Sequence, residues 1–235
     1  RQAWDAVSMW KELMPSKNHM PAPTVLVHAL VTLAMLWSWP SIAALVALGF
    51  VALLRLGELA ALRVRNFVFS GDFHETEWYF FVTIESPKMR RRGSRLEHVR
   101  VRSRVLYVFL RALFAGFPSE AKIFPGKPTE LARALDALLA FFGIEGGDGA
   151  GITWASLRTG GATSLYRAGT PLDAIKWRGR WHAWATLDRY IQEVALLSPL
   201  SRRNPAGRLR VDTFAASVQQ ALVIAPHWWT RTRPL

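Results

Sequence analysis

Residues 24–54, TVLVHALVTLAMLWSWPSIAALVALGFVALL, contain no Asp, Glu, Lys or Arg. A membrane span needs about 20 apolar residues, so this run is long enough to raise a transmembrane hairpin. Pro40 divides it, because a proline lacks the amide donor and clashes with the preceding helical turn. Each piece is then roughly 14 residues, the length of a buried core helix and not of a span. Arg55, Glu58, Arg63 and Arg65 follow at once. Two packed core helices are therefore expected, with a membrane-associated helical protein as the competing class.

The rest of the chain alternates between two periodicities. WDAVSMWKELM (4–14) reads as a helix before the Pro-containing loop PSKNHMPAP. GELAALRVRNF (57–67) reads as a short helix running into an extended segment. EWYFFVTIE (77–85), rich in β-branched and aromatic residues, predicts a strand, and the alternating RLEHVRV (95–101) its antiparallel partner across the turn SPKMRRRGS. Helical patterns follow at 102–116, 128–142, 154–168, 171–178 and 211–224. The expected fold class is mostly α with a small antiparallel β-sheet. Residues 1–21 read as a helix and linker, 22–197 as the main domain, and 198–235 as a tail with one helix. The chain begins at Arg1 and reads as a segment of something longer.

The chain has 235 residues and no cysteine, which excludes disulfides, a thiol nucleophile and thiolate zinc sites. Thirty Lys and Arg against seventeen Asp and Glu give a net charge of +13. A compact domain this basic points to a polyanion, since neutralising phosphates releases counterions. An anionic membrane surface or solubility charge would read the same way.

Three stretches carry chemistry. In GFVALLRLGELAALRVRNF, Arg55 closes a long apolar run and Glu58 lies one turn on, where it could orient the guanidinium. A surface ion pair at a helix end is the simpler reading of that stretch alone. TIESPKMRRRGSRLEHVRVRSR carries eight Lys and Arg but one Glu after Glu85, a basic hairpin tip suited to a DNA backbone or to plain solvation. In ITWASLRTGGATSLYRAGTPLDAIKWRGRWHAWATLDRYIQEV, Arg158 falls in the expected first turn of a helix, where backbone N–H groups also favour anions. No clustered-carboxylate pattern points to a two-metal nuclease; neither a metal nor a cofactor is expected.

Together these segments resemble the catalytic domain of tyrosine recombinases and phage-type integrases. LLRLGELAALRVRNF is similar to that family's first arginine box, ASLRTGGATSLYRAG to its second, and RGRWHAWATLDRY to its last, with Trp181 nine residues before Tyr190. Lys88 falls where the family carries a hairpin lysine. The resemblance covers roughly residues 22–195. It implies that Tyr190 attacks a DNA phosphate to give a 3′-phosphotyrosyl link, that Arg55 and Arg158 clamp the non-bridging oxygens, and that Lys88 protonates the departing 5′-hydroxyl. It also implies that the Trp181 indole N–H holds the phosphate. Glu58 and His182 are supporting candidates. Arg90, Arg91, Arg92, Arg95, Arg178 and Arg180 are candidate DNA contacts. The implied partner is double-stranded DNA, with self-association on it and no membrane. The implied setting is intracellular, nuclear in a eukaryote.

Two features test that resemblance. Nine helical residues rotate a side chain by about 900°, two and a half turns, so Trp181 and Tyr190 would face opposite ways on one helix. They meet at one phosphate only if Trp181 precedes the helix or the chain breaks between them. The family also places His or Lys three residues before the second arginine, and this chain has Ala155 there. Alanine offers no donor or acceptor, so a slow enzyme or a DNA-binding relative without catalysis is the alternative expectation. His182 adjoins Trp181 and is expected to point elsewhere.

Overall fold

The computed structural model describes residues 20–85, 96–146, 151–188, 190–193, 196, 200 and 204–224. The expected helix at 4–14 and most of the hairpin tip lie outside the described residues.

The uncharged run forms two helices, α1 (Thr24–Leu36) and α2 (Pro40–Val51). Between them, Ser38 takes the left-handed conformation at φ 57°. Trp39 N–H donates to Ala34 O at 2.8 Å and Ser38 N–H to Met35 O at 3.0 Å, a Schellman closure that satisfies the last carbonyls of α1. Pro40 then occupies the first position of α2, where its missing N–H costs nothing. Both helices are apolar on every side because both are enclosed: Leu26, Leu30, Leu33, Leu45 and Leu48 are fully buried. No helix among the described residues is long and apolar enough to cross a membrane.

A short helix α3 (Leu56–Ala61) and a 3₁₀ turn (Val64–Asn66) lead into a three-stranded antiparallel sheet, ordered β1 (Phe67–Phe69), β2 (Tyr79–Ile84), β3 (Glu97–Arg102). The stretch 57–67, expected as a short helix running into an extended segment, thus reaches a strand only at Phe67, because residues 64–66 turn as a 3₁₀ helix first. Phe67 pairs with Val82 and Phe69 with Phe80; Val82 pairs with Val99 and Phe80 with Val101. Period-two alternation puts all of these on the inner face. Helix α4 (Arg104–Phe114) covers that face, its start capped by Ser103 Oγ accepting from Leu106 N–H. Phe69 stands edge-on to Tyr107 at 5.1 Å, and Phe67 lies 4.9 Å from Phe114.

Four further helices follow: α5 (Pro128–Phe141), α6 (Trp154–Arg167), α7 (Leu172–Gly179) and the five-residue α8 (Trp184–Asp188). Helix α9 (Pro205–Ala216) and the helical residues 218–224 close the described chain. The expected helix at 211–224 begins six residues earlier, because Asn204 Oδ1 accepts from Gly207 N–H at 2.7 Å and Pro205 stands at its first position. It lies along α1, with Val211 and Ala215 buried and Phe214 against Phe141 and Phe142.

Helix α6 runs through the middle of this assembly. Gly160 faces the backbone of Ala22 and Gly161 the carbonyl of Phe50, and a Cβ on either would sit inside van der Waals contact of those atoms. The pair of small residues lets α6 approach α2 and the entry to α1 at backbone distance, which fixes where Arg158 emerges.

Candidate active site

The site forms where three chain reversals meet. In the first, Leu53 adopts φ 52° after α2. A bulky residue in the left-handed region costs about 1–2 kcal/mol and persists only where packing imposes it; Leu53 is fully buried. The turn delivers Arg55 to the start of α3. Its backbone N–H donates to Glu58 Oε2 at 2.9 Å and its Nη1 to Glu58 Oε1 at 2.7 Å. The simple surface pair is not what forms, because the Glu58 side chain is only 5% exposed while Arg55 keeps 32%.

The second reversal ends α7. Trp181 N–H donates to Lys176 O and Arg180 N–H to Trp177 O, another Schellman closure, with Arg180 itself at φ 56° in the left-handed position that glycine usually fills. Gly179 is one residue too early for that role. It is needed because the Trp181 ring lies on it, and a Cβ there would overlap the indole. The closure puts Trp181 outside any helix. The third reversal is the short α8, which ends before Tyr190; the chain therefore breaks between Trp181 and Tyr190, and the two rings pack at 4.5 Å. Thr163, buried on α6, donates from its hydroxyl to Tyr190 O at 2.8 Å and accepts from Gln192 N–H at 3.1 Å, pinning the segment to α6.

Arg158 stands among these groups. It is the fifth residue of α6, opening the second turn where the first was expected, and is 2% exposed. Its Nη2 donates to Gly179 O. Its guanidinium carbon lies 4.9 Å from the Trp181 ring centroid and 5.5 Å from that of Tyr190. Its Nε and Nη1 have no hydrogen-bond partner among the described residues, and neither has the buried Trp181 Nε1. Burial, then the neighbouring Arg55 and Arg180 guanidiniums, pull Arg158 down from the ordinary arginine range to about 9. At neutral pH it is a charged cation with two donors unused. Buried donors of this kind cost about 1–3 kcal/mol each while unpaired, and an anion with several acceptor oxygens would satisfy all three.

The candidate residues divide as follows. Arg55, Glu58, Arg158, Trp181 and Tyr190 are brought together. Lys88, Arg90, Arg91, Arg92 and Arg95 lie outside the described residues. His182 is exposed beside Trp181. Arg178 is half-buried, and burial lowers its pKa. Arg180 was expected to face DNA, but its side chain is 6% exposed and turned inward. Its Nη2 donates to Glu58 Oε2 at 2.6 Å, and its Nε forms an ion pair with Glu97 Oε2 at 2.9 Å without hydrogen-bond alignment. Ala155 sits three residues before Arg158 on α6, half-buried, and supplies only its carbonyl, to the Thr159 hydroxyl.

Glu97, Gly179 and Thr163 were not singled out from sequence. Glu97 had a signal: it is the one acid among eight cations, in phase with the inward-facing Val99 and Val101. Among the described residues no cluster of three or more His, Asp or Glu could hold a metal ion. Clefts of about 450 and 490 Å³ lie elsewhere, between the starts and ends of α1 and α6 and beside Trp39. The site itself is a set of buried donors with the partly exposed Arg55 beside them.

With that geometry in view, the chain has the fold of a tyrosine recombinase catalytic domain. No family model matches its sequence, and no curated protein does. Among solved structures it is similar to XerA recombinase, with a TM-score of 0.55 at 18% identity over 98% of this chain and 74% of that one. It is also similar to XerH site-specific recombinase bound to a palindromic difH substrate in a post-cleavage complex (TM-score 0.51, 16% identity, 75% of this chain and 51% of that one). The XerH pre-cleavage complex with difH gives a TM-score of 0.50 at 14% identity over 80% and 53%. The chain spans about half the length of XerH.

Proposed function

We propose that this chain is a DNA strand transferase of the tyrosine recombinase type, acting through a 3′-phosphotyrosyl intermediate. The observation that carries the reading is the set of three unpaired buried donors, Arg158 Nε and Nη1 and Trp181 Nε1, beside the ring of Tyr190. A phosphodiester displacement gathers negative charge on its equatorial oxygens, and fixed donors in a water-poor site stabilise that charge most.

In this mechanism Arg55 and Arg158 hold the non-bridging oxygens and Trp181 adds its indole N–H. The Tyr190 phenol gives up its proton to solvent as its oxygen attacks phosphorus, a new phosphotyrosyl bond forms, and the bond to the 5′-oxygen breaks. Lys88 gives its proton to that leaving oxygen. The phosphodiester energy is kept in the new ester, so attack by a second 5′-hydroxyl rejoins strands without a nucleotide cofactor. Duplex DNA is the substrate, and self-association on it follows from the need to exchange strands between two sites. Solved XerH was bound to such a palindromic substrate. Integration, excision and resolution, including those of mobile elements, all use this chemistry.

Ala155 supports a second reading, a DNA-binding relative that has lost catalysis. A missing donor at a transition-state oxyanion costs about 10²–10³ in rate. One experiment separates the two. A nicked suicide duplex traps the intermediate by losing the attacking 5′-hydroxyl. A covalent protein–DNA adduct formed by the native chain and absent in Tyr190→Phe establishes the enzyme. Duplex binding without any adduct establishes the relative.

A further inference from the structure

We infer that Arg180 is a positioning residue, an internal counter-cation that holds Glu58, and through it Arg55, at the anion site, and that it does not itself contact DNA. The inference rests on the reading of that site as a phosphate site.

Two buried guanidiniums stand side by side here and are used in opposite ways. Arg158 leaves two of its nitrogens without a partner. Arg180 is turned onto the protein: Nη2 donates to Glu58 Oε2 at 2.6 Å and, at the 3.5 Å limit, to Leu53 O; Nη1 reaches Arg178 O only at 3.5 Å; and Nε faces Glu97 Oε2 at 2.9 Å as an ion pair without hydrogen-bond alignment. With its side chain 6% exposed and a carboxylate on each of two edges, this guanidinium faces Glu58 and Glu97 and not the surface. Its planar fork is suited to joining two carboxylates, which the point charge of a lysine is not.

What it joins decides the geometry of the site. Glu58 accepts from Arg180 through one oxygen and grips the Arg55 side chain through the other. Glu97 belongs to β3, whose strand leads back to the basic hairpin tip. Arg180 therefore ties α3, β3 and the turn before Trp181 to a single point. It also sets the charge. Three guanidiniums face two carboxylates, which leaves one positive charge for an anion. Without Arg180 the balance is neutral, and Glu58 and Glu97 lose the cation that stands between them.

The test uses the full chain and the variant Arg180→Asn, chosen because asparagine tolerates the left-handed backbone that Arg180 adopts. The single-turnover rate of adduct formation at saturating suicide duplex should fall about 10- to 100-fold, the usual loss for a residue that orients a charged ligand. Half-saturation by duplex should stay within about 3-fold, because most of the affinity comes from the other phosphate contacts. On a duplex whose scissile phosphate is an uncharged methylphosphonate, the deficit should shrink, because the exposed carboxylates no longer oppose a charge. An equal deficit on both substrates marks a purely structural role and overturns the inference. Arg180→Lys should recover only part of the rate.

If the native chain forms no adduct, the proposed function fails, and the inference is judged by ¹⁵N-arginine side-chain spectra. The Arg55 guanidinium should rotate slowly in the native chain and freely in Arg180→Asn. Identical Arg55 signals in the two proteins would overturn it.

Discussion

Arg158 brings the opposition between stability and function down to one side chain. Its charge is buried with two donors unused, and replacing an ill-compensated buried ion by an apolar residue of similar volume stabilises by about 1–4 kcal/mol. Arg158→Met should therefore raise the stability of the unliganded chain by roughly 1–3 kcal/mol after the lost bond to Gly179 O is discounted. It should also reduce the rise in melting temperature caused by added duplex. The sign with pH follows from the lowered pKa. The unfolded chain keeps the proton into the ordinary arginine range, while the folded chain gives it up near 9, so folding stability rises with pH between those values. The penalty is fully present at pH 7. The advantage of Arg158→Met in thermal melts should thus be largest near neutrality and narrow above about pH 9. Arg55, Arg158, Trp181 and Tyr190 were all legible as residues, because each sits in a local pattern. The roles of Arg180 and Glu97 were not, because they depend on a meeting between residues 83 positions apart, and an arginine in a basic loop looks from sequence like a surface charge.

The helices explain how those side chains are aimed. The TGGATS stretch of α6 is made of small residues that let backbones approach, and the approach is made at Ala22 and Phe50. Gly160→Ala gains about 1 kcal/mol of helix propensity but forces a Cβ into the Ala22 backbone, where overpacking costs about 1–3 kcal/mol. The balance should be a net loss visible in chemical denaturation. Gly57→Ala is the control of opposite sign: Gly57 lies in α3 with nothing within 4 Å of an added Cβ, so stability should rise by up to about 1 kcal/mol. The break between Trp181 and Tyr190 was demanded by helical rotation alone. Its mechanism was not legible. GRW suggests a glycine-capped helix end, yet Arg180 takes the left-handed position, because Gly179 must lie flat under the Trp181 ring.

Taken across the chain, the positive charge and the buried apolar helices do separate things. Helices α1 and α2 are uncharged because α6 and α9 enclose them, and the competing membrane reading is answered by that enclosure. The chain carries a net charge of +13. If duplex DNA is the partner, binding should be dominated by counterion release. Affinity measured by fluorescence anisotropy should fall about 10³–10⁵-fold between 50 and 200 mM salt for a footprint of 6–10 phosphates. A flat salt dependence would remove DNA as the reason for the charge.

The amino-acid sequence by itself determined the periodic parts of this protein: two core helices split at Pro40, an antiparallel hairpin of alternating residues, and the arginine, tryptophan and tyrosine segments with the spacing between them. These are properties of neighbours within one or two turns, where rotation per residue and proline chemistry suffice. Only the tertiary structure decided which charges are inside. Glu58, Glu97, Arg158 and Arg180 come from α3, β3, α6 and the end of α7. Their burial, pairing and unused donors exist only once those four pieces are packed against one another, because desolvation is a property of the assembled surroundings and not of the residue.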